Sequence, residues 1–307
     1  MNRLAGIIVA VIGMLIAVLS ILKVVPGLTQ PGVVLMLLGG LIIGLSFVDK
    51  PESDETPRMP TAETLTKIFY APAEVFQNLR RHPRWLVAVL IMSILSAIFY
   101  NAFLHRLTPE KVTNFAIDKT LEMPMMNDEA RRQVESGRAQ AIEDSKNPVQ
   151  LAGQAVNGFA GQVFLYCFLG AVFFLFALAM GGKINFWQAF SAAVYASFPI
   201  AVIRFVLNTI ILFIKDPTEI HPILGQSSLI QDSLNFLVTP SANPVLYTLL
   251  SAFSLLAFYW IWINATGLKN AGERITPSIA WTATLSIFLI GVALSVIAAL
   301  LFPGFIS

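Results

Sequence analysis

Residues 67–85 read KIFYAPAEVFQNLRRHPRW and separate a polar linker from a long series of apolar runs. Pro72 suits the first position of a helix, where its fixed φ helps and its missing N–H costs nothing. Glu74 falls in the first turn, where it complements the helix dipole, and the basic end of the helix is expected to lie on lipid phosphates. We predict a short helix in the headgroup region of a membrane, with lipid contacts from Phe76, Arg80, Arg81, Arg84 and Trp85.

The composition is typical of an integral membrane protein. The 307 residues are 56% hydrophobic and 12% charged, and the mean hydropathy is +0.72, as expected for a chain with several membrane spans. A net charge of +2 without a basic patch argues against a nucleic-acid partner. The single cysteine, Cys167, excludes an intramolecular disulfide and is expected to serve packing.

Seven apolar runs approach the ~20 residues that a bilayer core requires. We therefore predict an all-α polytopic membrane protein with a transmembrane hairpin over 1–48, a polar linker over 49–66 and a five-span membrane domain over 67–307. The first run is longer than a signal-peptide core and no cleavage site follows it, so it is predicted to be a retained anchor. The predicted spans are 4–25, 32–48, 85–104, 158–180, 190–214, 245–268 and 279–302.

The first two spans are joined by six residues, 26–31, which are too few for anything but an antiparallel hairpin. Gly40 and Gly44 form a small-xxx-small pair on the second span, a pattern that hints at close helix contact. The linker that follows has three prolines and four early acids, so it cannot build a core and is predicted to be mobile.

The largest polar region is 105–157, for which local signals predict two helices. Thr108-Pro109-Glu110 predicts a helix start and a helix to about Leu121, and Asn127-Asp128-Glu129 predicts a second helix through about Glu143. Its mixed charges favour helices that cap the bundle, with a docking platform for a partner as the alternative. Residues 216–240 suggest a re-entrant or interfacial helix, and Thr276-Pro277 is predicted to cap the last span.

Lys and Arg predict the orientation in the membrane. With the N-terminus in the cytoplasm, ten basic residues lie inside, while the short exoplasmic segments hold only Lys23 and Lys215. The C-terminus is then exoplasmic, and the membrane is expected to be the bacterial cytoplasmic membrane. The ten are Arg3, Lys50, Arg58, Lys67, Arg80, Arg81, Arg84, Lys183, Lys269 and Arg274.

Catalytic and cofactor motifs are missing from the sequence. The three histidines, His82, His105 and His221, form no H-x-x-x-H pair, so no metal site is predicted. No G-x-S-x-G, phosphate-binding loop or dinucleotide fingerprint is present, and no cofactor is expected. Spans four and five contain no acidic residue, which disfavours a carboxylate-driven ion-coupled transporter.

Arg204, near the middle of span five, is the polar residue that most needs a role. A central arginine costs about 2.5–3.5 kcal/mol on insertion scales, so it should face the bundle or a wet cavity. Pro199 frees carbonyl groups one turn earlier, Asn208 lies four residues later, and Asn264 would join them if spans five and six are neighbours. Arg204 is then either an anion-binding residue, a structural residue that bonds to carbonyls and Asn208, or a residue that snorkels to the interface.

The helix entry formed by Ile68, Pro72, Val75-Phe76, Leu79 and Pro83-Arg84-Trp85 resembles the Yip1-domain membrane proteins, and most closely their bacterial branch. Two later segments are also similar to that family: Trp187–Phe190 with Tyr195–Pro199, and Phe253–Gly267. The resemblance covers roughly 67–302 and implies a five-helix core, a cytoplasmic N-terminus and an exoplasmic C-terminus.

Eukaryotic members of that family are associated with Rab GTPases and membrane shaping. This chain has no D-L-Y-G-P-like motif and carries an additional hairpin over 4–48, so a Rab-type partner is not expected. The predicted partners are membrane lipids and other membrane proteins, or further copies of the chain.

The leading functional hypothesis is a non-enzymatic membrane scaffold or assembly factor that acts through those contacts. The alternative is a transporter or binding protein for a small molecule or lipid, with a pocket near Arg204 and the Pro199 break. An intramembrane enzyme is a third class, and it lacks a nucleophile–base pair in the sequence.

Overall fold

The computed structural model describes residues 3–51, 56–123 and 126–305, and these residues are helical apart from turns, short loops and two isolated β-bridges. The α-helices are α1 Arg3–Ile21, α2 Thr29–Leu45, α3 Thr61–Lys67, α4 Pro72–Arg81, α5 Leu86–Leu107, α6 Pro109–Leu121, α7 Asp128–Ser136, α8 Arg138–Lys146, α9 Pro148–Ala179, α10 Phe186–Ile214, α11 Leu224–Ser227, α12 Pro244–Ala252, α13 Leu255–Ala271 and α14 Pro277–Leu301.

Five of these helices are long and apolar enough to cross a membrane, namely α1, α5, α9, α10 and α14. The apolar helix α2 adds 17 residues, the low end of the range for a span. The prediction of a polytopic helical membrane protein is confirmed.

The sixth predicted span, 245–268, is wrong as a continuous helix. It is interrupted at Phe253 and Ser254, which separate α12 from α13. Two side chains cap the N-terminus of α13. Asp232 Oδ2 accepts the Leu256 N–H at 2.9 Å, and Ser254 Oγ accepts the Ala257 N–H at 3.1 Å. Such side-chain bonds compete with the bonds that would continue a helix.

The polar region 105–157 also differs in part from its prediction. The first helix, α6, has the predicted start, since Thr108 accepts a hydrogen bond from the Lys111 N–H. The second predicted helix is divided at Gly137 into α7 and α8, and α9 begins ten residues before the predicted span, at Pro148. Asn147 caps α9 by accepting the Val149 N–H at 2.9 Å, a start signal that the hydropathy pattern does not show.

Two further loop predictions have opposite outcomes. Residues 216–240 contain only α11 and a 3-10 turn at Leu234–Leu237, so the predicted re-entrant or interfacial helix is wrong. The Thr276-Pro277 start is confirmed, because Thr276 Oγ1 accepts the Ile279 N–H at 3.3 Å and α14 begins at Pro277.

The chain divides into two compact units. Unit 1 comprises Met1–Ile94, Asn147–Pro199 and Ile263–Ala283, and unit 2 comprises Leu95–Lys146, Ile200–Trp262 and Thr284–Ser307.

In unit 1, α1 and α2 form the predicted hairpin, and glycines set their distance. A Cβ on Gly39 would lie 2.4 Å from the Ala10 nitrogen, and one on Gly13 would lie 2.4 Å from the Met36 nitrogen. Gly40 and Gly44 instead face open space, so the predicted contact through that pair is wrong. The close contacts use glycines seven residues apart on each helix: Gly6 and Gly13 on α1, and Gly32 and Gly39 on α2.

The hairpin packs onto α9 through a second glycine contact. A Cβ on Gly153 would lie 2.8 Å from Cγ of Pro31 and 3.0 Å from Cδ2 of Leu28. At the hairpin turn, the buried Ser20 hydroxyl accepts the Leu28 N–H at 3.1 Å. Close backbone approach through small residues is the usual way in which membrane helices associate.

In unit 2, the polar helices are joined around Arg138. Its guanidinium bonds to Asp118 at 2.7 Å and to Glu135 at 2.9 Å, and it donates to Asn114 at 3.0 Å. These contacts connect α6 with α7 and α8. They hold the three helices together as a compact group, and the role of this region as a cap of the bundle or as a docking platform stays a prediction.

Candidate functional site

The short helix α4 begins at Pro72 as predicted, but its apolar face is covered by protein. Val75, Phe76 and Leu79 are fully buried. A Cβ on Gly267 of α13 would lie 2.9 Å from Cζ of Phe76, so the ring packs directly on that glycine. Phe76 is therefore a core residue of unit 1, and the expectation that it faces lipid is wrong.

Arg84 and Trp85 also have protein partners in unit 1. The Arg84 guanidinium donates a hydrogen bond to the buried Thr64 hydroxyl, and burial is the main cause that lowers the pKa of Arg84. The Trp85 ring lies 5.3 Å from the Phe190 ring, centroid to centroid. Both side chains are partly exposed, so they lie at the boundary between the core of unit 1 and its surface.

The described residues 56–59 of the linker form hydrogen bonds with α4, and the mobility of the linker stays a prediction. The Met59 N–H donates to Asn78 Oδ1 at 3.2 Å, and the Asn78 amide donates to the Pro57 carbonyl at 3.1 Å. His82 Nε2 lies 2.8 Å from the Thr56 carbonyl oxygen. The acidic part of the linker, 52–55, lies outside the described residues.

Glu273 organises the charged surface next to α4. Its carboxylate lies 2.9 Å from Arg80 Nη2 and 3.3 Å from Lys183 Nζ. The backbones of Lys183 and Glu273 also form a two-way bridge with N···O distances of 2.8 and 2.6 Å. The hydrogen bond from Arg80, followed by that from Lys183, lowers the pKa of Glu273. We call Arg80, Arg81, Lys183 and Glu273 the charged platform.

A cavity of about 1140 Å³ lies beside the charged platform and includes all four of its residues in its lining. The remaining wall contains apolar side chains of α9, among them Ala171, Phe174 and Leu175. Gln188 holds the platform in place by donating to the Arg80 carbonyl at 2.8 Å. Unit 1 therefore presents charge and apolar surface in one concavity.

Arg204 lines a separate cavity of about 610 Å³ in unit 2. The guanidinium side chain is exposed, and the same cavity is lined by Lys215, His221 and Asp232. The break between α12 and α13 lies at this cavity, since Ser251 and Ser254 are also in its lining. Polar side chains at an interrupted helix are typical of ligand sites in transporters.

The two asparagines that were predicted near Arg204 have different positions. Asn208 is buried, and its Oδ1 accepts the Leu229 N–H at 2.9 Å, so it anchors the loop after α10. Asn264 is buried in unit 1 and does not line the cavity of Arg204. The role of Arg204 in anion binding stays a prediction.

The sequence did not predict the ion pairs that Glu273 forms with Arg80 and Lys183, or the cap that Asp232 forms on α13. Their partners are distant in the chain: Arg80 pairs with Glu273, and Asp232 caps a helix that begins at Leu255. No local motif signals such pairs. Among the described residues, no group of three or more His, Cys, Asp and Glu is placed to hold a metal ion.

We compared the sequence with models of known protein families, with curated proteins and with solved structures. A family model described as the Yip1 domain matches residues 66–300. No curated protein and no solved structure matches the chain. The matched segment begins near the end of α3 and leaves the α1–α2 hairpin outside it.

Proposed function

Because this chain belongs to the Yip1-domain family of membrane proteins, we propose that it acts as a non-enzymatic scaffold or assembly factor in the bacterial cytoplasmic membrane. It would hold lipids and other membrane proteins, or further copies of itself, through surfaces that are fixed in place rather than through a catalytic site. Its N-terminus would lie in the cytoplasm and its C-terminus outside, as the distribution of Lys and Arg favours.

The charged platform is the observation that carries this proposal. Three separate parts of the chain meet there, namely α4, the turn before α10 and the turn before α14. The surrounding sequence at 49–84, 181–185 and 269–274 contains nine Lys or Arg and seven Asp or Glu. An ion-paired surface with excess positive charge attracts anionic headgroups by about 1 kcal/mol per basic residue.

The experiment compares the membrane proteins that co-purify with the wild type and with Glu273→Lys. Both proteins are extracted with a lipid-solubilising polymer and quantified by mass spectrometry. Reversing this charge breaks both ion pairs of the platform, so we expect a defined set of partners to be lost. The control Glu143→Lys makes the same charge change at an exposed residue of α8 in unit 2. Equal partner sets in all three proteins would contradict the scaffold proposal.

A second candidate function is a binding protein or transporter whose ligand is held by Arg204. The cavity that this side chain lines beside an interrupted helix favours it. Native mass spectrometry of the wild type, Arg204→Lys and Arg204→Ala provides the test. A defined small molecule or lipid should be retained by the wild type and lost in Arg204→Ala. Arg204→Lys should retain it weakly, because lysine keeps the charge but loses the planar fork. The same bound species in all three would reject this candidate.

A further inference from the structure

The cavity of Arg204 in unit 2 contains charges of both signs that do not pair with each other. Besides His221, its charged lining consists of Arg204, Lys215, Glu219 and Asp232. Among the described residues, neither basic side chain forms a hydrogen bond or an ion pair, and neither carboxylate forms an ion pair. The Asp232 carboxylate accepts one backbone N–H, whereas a carboxylate has room for about four hydrogen bonds.

Arg204 is the charge of this cavity that most needs a counter-ion. It lies on α10, a helix that is long and apolar enough to cross a membrane. An arginine in such a helix is costly unless water or an opposite charge solvates it. A phosphate or carboxylate group matches the planar fork of the guanidinium, so the side chain is suited to bind an oxyanion.

Asn235 adds a buried acceptor to the same cavity. Its amide nitrogen donates to Ser251 Oγ at 2.9 Å, while its buried Oδ1 has no hydrogen-bond partner among the described residues. A buried acceptor without a partner destabilises the site that contains it. Asn235 and Asp232 both lie on the segment that lines the cavity at the break between α12 and α13. An ammonium group carries three N–H donors and therefore suits such a pair of acceptors.

One wall of the cavity continues into an apolar face of α14. Ala298 of this helix is part of the lining. Leu294 and Leu301 lie four residues before it and three residues after it, so they share its face of the helix. Their side chains are 61% and 56% exposed, and α14 is itself long and apolar enough to cross a membrane. An acyl chain that leaves the cavity would therefore lie against this face.

We propose that this cavity binds one zwitterion that joins a phosphate to a primary ammonium group, with the phosphate at Arg204 and the ammonium at Asp232 and Asn235. The proposal rests on the second candidate function and deepens it by naming the class of ligand. Phosphatidylethanolamine lipids and free phosphoethanolamine share this chemistry. The apolar face of α14 favours the lipid, because free phosphoethanolamine has no acyl chain to place there.

The test is a titration of the purified full-length protein with short-chain lipids, followed by native mass spectrometry. Phosphatidylethanolamine should occupy one saturable site. Phosphatidylcholine of the same chain length has the same charges but no N–H donor, and phosphatidylglycerol has no cation. Both should bind at least about tenfold more weakly, the factor for one hydrogen bond to a charged group. Equal affinity of either lipid would overturn the proposal.

Competition experiments distinguish the sources of the zwitterion. Displacement of the lipid by free phosphoethanolamine at the same concentration would support a soluble ligand, and its failure to displace would support the lipid. Inorganic phosphate should not displace phosphatidylethanolamine. Displacement by inorganic phosphate would show a simple anion site and overturn the proposal.

Variants of Arg204 locate the phosphate. Arg204→Ala should weaken phosphatidylethanolamine binding about tenfold or more, and Arg204→Lys should weaken it less. The control Arg132→Ala makes the same change at an exposed residue of α7 outside the lining and should have no effect. Lipid-free Arg204→Ala should unfold at the same temperature as the lipid-free wild type. A loss of stability there would show a structural role for Arg204 and overturn the proposal.

The variant Asp232→Asn locates the ammonium group. Asparagine also caps helices, so the start of α13 is kept while the charge is removed. The preference for phosphatidylethanolamine over phosphatidylcholine should fall in this variant. The control Asp128→Asn makes the same change at the exposed start of α7 and should keep the preference. An unchanged preference in Asp232→Asn would overturn the proposal.

The ligand class and the second candidate function can fail separately. If the wild type retains another defined species that Arg204→Ala loses, the candidate function stands and the zwitterion is rejected. Phosphatidylethanolamine that binds equally to the wild type and to Arg204→Ala would reject both.

Discussion

Replacing Gly39 with valine should open the α1–α2 hairpin, whereas the same change at the adjacent Gly40 should not. A Cβ at position 39 would lie 2.4 Å from the Ala10 nitrogen and 2.7 Å from its Cα, while ordinary van der Waals contact begins at 3.4 Å. Both atoms belong to the backbone and cannot rotate away, so the helices must separate by about 1 Å to restore ordinary contact. A gap of that size forfeits roughly a quarter to a half of the dispersion attraction along the contact.

We expect Gly39→Val to destabilise the hairpin by about 1–3 kcal/mol, the usual cost of an overpacked contact. Gly40→Val meets no atom within 4 Å and should change stability by less than about 0.5 kcal/mol. Both variants make the same change on the same helix, so their difference isolates the helix contact from helix propensity.

The assay is equilibrium unfolding in lipid–SDS mixed micelles, followed by the excimer of pyrene labels at positions 4 and 47. Both positions are exposed, and Cys167→Ala removes the native thiol. Loss of excimer at a lower SDS fraction in Gly39→Val alone is the expected result. Equal stability of the two variants would refute the glycine-contact explanation.

Three further predictions concern unit 1 and the start of α13. Phe76→Ala should cost about 3–5 kcal/mol of unfolding free energy, as for a core aromatic residue, while Tyr70→Ala, at a side chain that is 71% exposed, should cost far less. If Phe76 faced lipid, chemical denaturation would show similar small effects for both. Asp232→Ala should destabilise α13 by about 0.5–2 kcal/mol and Asp232→Asn by less, because asparagine also caps helices. The rate of amide hydrogen exchange at Leu256 measures the stability of the first turn of α13. Equal exchange rates in Asp232→Ala and Asp232→Asn would argue against capping by this side chain. The ionised Glu273 carboxylate stabilises the fold through its bonds to Arg80 and Lys183, which lower its pKa from the ordinary value of 4.5. This stabilisation is fully present above pH 4.5, and it should disappear as the pH falls through the lowered pKa of the folded state. The difference in thermal stability between the wild type and Glu273→Gln should therefore shrink toward acidic pH. A difference that is constant across that range would contradict the ion-pair explanation.

Local signals in the sequence predicted several elements correctly because their causes are local. Pro72, Thr108 and Thr276-Pro277 each mark the first turn of a helix that the structure contains. The break between α12 and α13 had no such signal. It depends on Asp232, which lies more than twenty residues before the helix that it caps, so only the folded chain brings the two together.

The sequence by itself determined that this is a helical membrane protein. The length and hydropathy of each apolar run can be calculated directly from the order of residues. A run of that length in a bilayer must satisfy its own backbone hydrogen bonds, which an α-helix does. The tertiary structure decided which apolar residues face protein and which face outward. Phe76 and Tyr70 are both aromatic residues of one short segment, yet one is fully buried and the other exposed. Adjacent Gly39 and Gly40 differ in the same way. The physical reason is that membrane lipid and protein interior are both apolar, so hydropathy cannot distinguish them, and only packing against a partner does.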